Sequence, residues 1–350
     1  MAVRRNPKRT PTKGLYRWSR WSKDKLLDMR ICDLGLRIAG SPLEPRILHL
    51  YRELEQRGFV FRPHFWLSDE WYCPDGVPGV AVPFFLSHPR LRRLEHEALM
   101  EVEGGTRDWC MRLLRHETAH ALLNAYQLHE HRDWKRVFGR PNAPYPDTYL
   151  PKPYSKRYVI NLPNWYAQAH PHEDWAETFA VWLRPKSDWR RRYRSWPALK
   201  KLEYVDALMH EIRDTRPRLR NRQEDCPVEK IRMTLREYYA KKVERYGSDS
   251  PEFSDRDLLK LFSSDPAHAR NEKASRYIRR AYKDIIDIVE RWTAEYKYRI
   301  NEVLEEMVRR CDKLDLRVAR DDQEMKLEMI AFLTMVVMNK LYSGGFRIHL

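Results

Sequence analysis

The chain has 350 residues, is 42% hydrophobic and carries a formal net charge of +16, enough material for one large or two medium domains with a substantial core. No apolar run reaches the roughly 18–20 residues of a membrane span, and the N-terminal MAVRRNPKRTPTKG lacks the apolar stretch of a secretory signal. The five cysteines are scattered without a C-x-x-C, which indicates neither a zinc ribbon nor a disulfide framework and leaves the cytoplasm as the expected location.

In chain order, residues 1–25 hold nine Lys/Arg against one acid, half of the net charge. The expectation is a flexible, solubilising tail. The competing reading is an arm for nucleic acid, but no nucleic-acid motif accompanies the charge. Leu43, Ile47, Leu50, Tyr51 and Leu54 recur at three and four and predict a helix closed by Gly58. FVFRPHFWLS (59–68) alternates and reads as a strand. Val80–Phe85, after turns at Pro-Asp-Gly and Pro-Gly, reads as another, with an edge that could pair with an extended peptide. HPRLRRLEHEALMEVEGG predicts a helix ending at Gly104-Gly105. Asp108 is the candidate cap of the next helix, which runs to about Gln127.

That helix contains LLRHETAHALLNAY (113–126). Positions i and i+4 share a helix face, so His116 and His120 can aim both imidazoles at one point. Glu117 stands beside that face, placed to touch a water rather than an ion. This is H-E-x-x-H, with Glu117 as candidate general base. Leu113, Leu114, Ala121, Leu122 and Ala125 make the helix largely buried. Two histidines and a glutamate are costly to bury without partners, and a metal would resolve the cost. The bland alternative is a pair of hydrogen-bonded core histidines.

Zinc needs a third protein ligand and an open position for water. A metzincin would have glycine and histidine where this chain has Leu123 and Tyr126, so that plan fails. His129 and His131 fall past the helix end and read as surface residues. Residues 139–159, GRPNAPYPDTYLPKPYSKRYV, are too proline-dense for a helix or central strand; long loops of this kind are often functional. HPHEDWAETFAVWL follows as a second helix, with Pro171 at its first position. It offers Glu173 and Glu177, one turn apart, as competing third ligands.

Beyond about residue 213, RDTRPRLRNRQEDCP reads as a polar linker. Amphipathic helices are expected at about 227–246, 270–311 and 322–342. In the second, Ile278, Tyr282, Ile285, Val289, Trp292, Tyr296, Ile300, Val303 and Met307 keep helical spacing, a stripe best read as core.

E-D-W-A-E (173–177) resembles the E-x-x-x-D/E of gluzincin metallopeptidases, in which the first acid binds zinc and the second hydrogen-bonds a zinc-bound histidine. A lethal-factor-type alignment of A-E-T-F-A-V instead makes Glu177 the ligand. More features agree on Glu173. Tyr166, seven residues before Glu173, matches a tyrosine that faces the metal in such peptidases. It is the first candidate donor to an oxyanion, with His170 the second. Residues 30–210, through CDLGLRIAGSPLE, EVEGGT, LRHETAHAL and NLPNWYAQAHPHEDWAETFAVWL, resemble a bacterial family of zinc-binding metallopeptidases.

Together these readings give an α+β fold: a zincin-like domain at 26–213 with a small mixed sheet and the HExxH helix, which the resemblance implies, followed by an all-helical region at 214–350, which rests on periodicity alone and lies outside the resemblance. The resemblance also implies Zn²⁺ as cofactor and a peptide or protein substrate. The C-terminal helices could recruit a partner protein. An alternative function is a zinc-stabilised regulatory or nucleic-acid-associated protein with little proteolysis, motivated by the basic tail and by WRRRYRSW (189–196).

Overall fold

The computed structural model describes residues 16–146, 148–149, 151–152, 155–246, 253–293, 295–342 and 348–349. The charged residues 1–15 of the expected tail lie outside the described residues. Contacts divide the chain into two compact units. One comprises the residues up to Glu95 together with Val102–Tyr239, the other His96–Glu101 together with Ala240–Ile348.

In the first unit, α1 (Glu44–Gln56) forms where the three-four spacing predicts it, burying Ile47, Leu50 and Leu54. Residues 16–25 are not a tail. Trp18 is buried, donates its Nε1–H to Leu34 O at 2.9 Å and packs against His88. A large aromatic with a satisfied N–H anchors a charged segment more firmly than its charge loosens it.

The sheet is small. β1 (His64–Ser68) and β2 (Gly79–Pro83) pair in parallel, Phe65 opposite Val80 and Leu67 opposite Val82. Both strands are shorter than the sequence pattern suggests. Residues 59–63 are not strand, and Phe84–Ser87 turns into a short 3₁₀ helix. On the far side of β2, Ala81 N–H donates to Tyr72 O at 2.8 Å, an antiparallel bridge. The centre of β2 is therefore paired on both sides and fully buried. It is not the free edge expected for binding an extended peptide.

α2 (Arg107–Tyr126) and α3 (Pro171–Leu183) pack against each other, and α2 also meets α1 and β2. The helix Leu199–Ile212 covers α3. Residues 214–239, placed with the C-terminal region by composition, pack into this unit. Trp66 Nε1 and Tyr72 Oη each donate to Asp225 O at 2.8 Å, and Tyr238 Oη donates to Asp69 O. The basic-aromatic run 189–196 is a short helix and turn. Its Trp189 and Tyr193 are buried, and Tyr193 Oη accepts from Ile160 N. Those aromatic faces are committed to the core.

The second unit is helical. α4 (Ala274–Thr293), α5 (Lys297–Lys313) and α6 (Asp322–Tyr342) share a core with the short helix Asp255–Leu261. Ile278, Ile285, Val289, Ile300, Val303 and Met307 of the predicted stripe lie in it. The expected helix 270–311 is broken in two. Thr293 Oγ1 donates to Val289 O and accepts from Glu295 N, while Glu295 Oε1 accepts from Tyr296 N. Such local side-chain bonds compete with helix continuation. Trp292, just before the break, is 67% exposed and leaves the stripe. Among the described residues no helix is long and apolar enough to cross a membrane.

Candidate metal centre

α2 starts at Thr106, whose Oγ1 accepts from Trp109 N at 3.2 Å. The cap is therefore Thr106. Asp108 sits within the first turn, where its carboxylate suits the positive helix end, and pairs with Arg112 at 2.8 Å. The helix closes at Gln127, in the left-handed region at φ 56°. α3 begins with Pro171, as expected, and its cap is a histidine: His170 Nδ1 accepts from His172 N at 3.2 Å. Trp175, fully buried between Glu173 and Glu177 in sequence, donates its Nε1–H to Ala119 O on α2 at 2.9 Å. That bond ties the two helices together at the turn of α3 that carries both glutamates.

Three ligand atoms converge there. His116 Nε2 lies 2.9 Å from Glu173 Oε2, His120 Nε2 lies 3.4 Å from the same oxygen, and the two Nε2 atoms are 3.1 Å apart. Together they form a cluster that could hold a metal ion. Glu177 faces the other side of the first ring. Its Oε1 lies 2.9 Å from His116 Nδ1 and also accepts from Asn161 Nδ2 at 2.8 Å, and its Oε2 accepts from Leu162 N at 2.7 Å. With Nδ1–H donated to Glu177, His116 presents an Nε2 lone pair to the cluster. Glu173 divides its oxygens: Oε1 accepts from Tyr145 Oη at 2.9 Å, while Oε2 is buried and, beyond the two imidazole nitrogens, meets no other polar partner among the described residues.

Buried acceptors of this kind are costly unless a cation or donor meets them. The donor set, two imidazole nitrogens and one carboxylate oxygen, is the type that suits Zn²⁺. Charge points the same way. Burial opposes a charged imidazole at His116, yet the adjoining carboxylates of Glu173 and Glu177 outweigh it and raise its pKa well above normal. Burial disfavours the Glu173 anion too, but His120 and His116 hold its carboxyl well below the usual range. The site calls for positive charge, which a proton or a dication can supply.

Glu117 is buried beside the cluster, and desolvation raises its pKa despite His116 and His120. Its carboxylate therefore has more affinity for a proton than one in water. The Tyr166 ring centroid is 5.5 Å from that of His116. Burial first, then the nearby carboxylates of Glu173 and Glu117, push its hydroxyl well above its ordinary pKa, so it stays an O–H donor.

His170 is not available as the second donor. Its Nδ1 caps α3 and its Nε2 donates to Ala143 O at 2.9 Å. His129 is part-buried rather than at the surface. Its ring faces His172, and its Nδ1 is buried, with no hydrogen-bond partner among the described residues. Two groups had no signal in the sequence: Tyr145, on a loop without periodicity, and Asn161, which fixes Glu177. The alternation of tryptophan with acids in E-D-W-A-E was a usable sign of the Trp175 clamp.

A family model described as "Putative zinc-binding metallo-peptidase" matches residues 110–189. Neither a curated protein nor a solved structure matches the chain. The matched stretch begins inside α2 and ends just past α3, so it contains every ligand atom of the cluster. Over residues 110–189 the chain is therefore similar to that family of zinc-binding metallo-peptidases.

Proposed function

We propose that the chain is a zinc-dependent metallopeptidase, with His116, His120 and Glu173 holding the ion and Glu117 acting as general base. The observation that carries this reading is the meeting of two Nε2 atoms and an otherwise unpartnered Glu173 Oε2 in a buried cluster. Bound zinc would supply a Lewis acid and bring the pKa of its water toward about 7.

The chain's own groups do the rest. Glu117, with its raised proton affinity, takes a proton from the attacking water onto its carboxylate. It then passes that proton to the amine leaving the peptide bond. Tyr166 keeps its proton and donates a hydrogen bond to the carbonyl oxygen as that atom gains charge. Glu177 holds the His116 ring so that Nε2 stays directed at the cluster. The side chain of His120 is 15% exposed against 3% for His116. A peptide substrate therefore approaches from the His120 side.

The test pairs metal analysis with cleavage of a mixed peptide library. Parent protein should carry close to one zinc per chain and cleave. Glu117→Gln should keep the zinc and lose about 10²- to 10⁴-fold in rate. Cleavage by Glu117→Gln at the parental rate would refute the base assignment. A parent free of zinc after metal loading would refute the centre itself.

A further inference from the structure

Tyr145, on the proline-dense loop 139–159, reaches the cluster. Tyr145 donates its O–H to Glu173 Oε1 at 2.9 Å. The opposite oxygen of that carboxylate, Oε2, is the one set against His116 Nε2 and His120 Nε2. A carboxylate can otherwise turn about its last bond, or offer both oxygens to a cation at once. Here one oxygen is engaged by a phenol and the other is left for the imidazole side.

The phenol is itself held in place. Its ring stacks on His170 with centroids 3.8 Å apart and planes inclined by 22°. His170 has both ring nitrogens engaged: its Nδ1 caps the helix that bears Glu173 and its Nε2 donates to Ala143 O, two residues before Tyr145. Loop, cap and ligand thus form one closed set of contacts: Ala143 to His170, His170 to α3 and to the Tyr145 ring, Tyr145 to Glu173. Tyr145 remains 50% exposed, so its ring adds little to the core and its hydroxyl is the part with a specific task.

We infer that Tyr145 is a positioning residue that restricts Glu173 to a single coordinating oxygen and so sets the metal affinity of the site. The inference rests on the metal-binding reading above and adds to it a loop residue outside both motif helices. Hydrogen-bond partners of ligating carboxylates typically change metal affinity or activity by about 10- to 100-fold when removed.

The experiment measures zinc affinity of the full chain by competition with a chromophoric chelator, for the parent, Tyr145→Phe and Tyr149→Phe. Tyr149 is a fair control, because it donates its hydroxyl to Asn164 O at 2.9 Å and to no carboxylate. Tyr145→Phe should weaken zinc binding about 10- to 100-fold, and Tyr149→Phe should leave it unchanged. With Co²⁺ in place of zinc, Tyr145→Phe should also lower the intensity of the visible d–d bands, as the freed carboxylate brings in its second oxygen. An unchanged dissociation constant for Tyr145→Phe, an equal loss in both variants, or an unaltered cobalt spectrum would overturn the inference while leaving the centre intact. A parent that binds no zinc would overturn the reading beneath it instead.

Discussion

Glu173 and Glu177 are chemically identical and one turn apart, so spacing along the helix gives both a view of the same neighbouring helix. Their surroundings separate them. Glu177 has both oxygens occupied, by His116 Nδ1, Asn161 Nδ2 and Leu162 N. Glu173 Oε2 has two imidazole nitrogens within 3.4 Å and no other polar partner among the described residues. Glu173→Ala should therefore abolish stoichiometric zinc. Glu177→Ala should keep a weaker site, about 10- to 100-fold down in affinity, because only the orientation of His116 is loosened. Metal titration of the two variants decides between them, and loss of zinc confined to Glu177→Ala would reverse the assignment. The pair of histidines was legible in the sequence because a helix makes i and i+4 neighbours by geometry alone. Helix spacing alone left both glutamates open, and the resemblance favoured Glu173; the contacts that set Glu177 apart come from Asn161 and Leu162, on a loop with no periodic signal.

The position of α2 itself depends on a buried ion pair. Arg115, next to His116, donates Nε and Nη2 to the two oxygens of Glu53 on α1 at 2.8 and 2.7 Å, and both side chains are almost wholly buried. His49 lies 3.2 Å from the same carboxylate. Removing one partner of a buried pair leaves an unneutralised charge, which costs about 3–5 kcal/mol. Glu53→Ala should lose stability on that scale in urea unfolding. Glu53→Leu combined with Arg115→Met should recover most of it, because apolar replacement of a whole pair is often neutral. A double variant as unstable as the single one would show that the pair contributes more than cancellation of its own desolvation. Apolar periodicity located α1, α2 and α3 well, since their buried faces follow the helix repeat. It ran two helices together at 293–297, because the break is made by side-chain-to-backbone bonds of Thr293 and Glu295 rather than by proline or glycine. It also overextended both strands, since β1 and β2 are too short for alternation to mark their ends.

At the scale of the chain, composition suggested a boundary near residue 213, where charged and proline-rich segments begin. The contacts instead carry the first unit on to Tyr239 and assign His96–Glu101, from the middle of the first half, to the helical second unit. A short segment inserted this way has no compositional mark. Its chemistry does leave a measurable one. Glu101 is held in the second unit near Glu290 and Lys297. Burial first, then Glu290, raise its carboxyl pKa to about 7, with Lys297 only partly offsetting them. The folded chain therefore binds more protons at this group than the unfolded chain does between its ordinary carboxylate value and about pH 7, so stability falls as pH rises through that window. Glu101→Gln removes the ionisation and its cost. Relative to the parent, the variant should gain on the order of 1–3 kcal/mol at pH 8, and the gap should close at pH 4, where the parental carboxyl is protonated in both states. Urea unfolding of the two chains at both pH values measures this directly. A gap of the same size at both would show that Glu101 ionises as freely in the folded chain as in the unfolded one, and that the segment His96–Glu101 is not buried against the helices of the second unit.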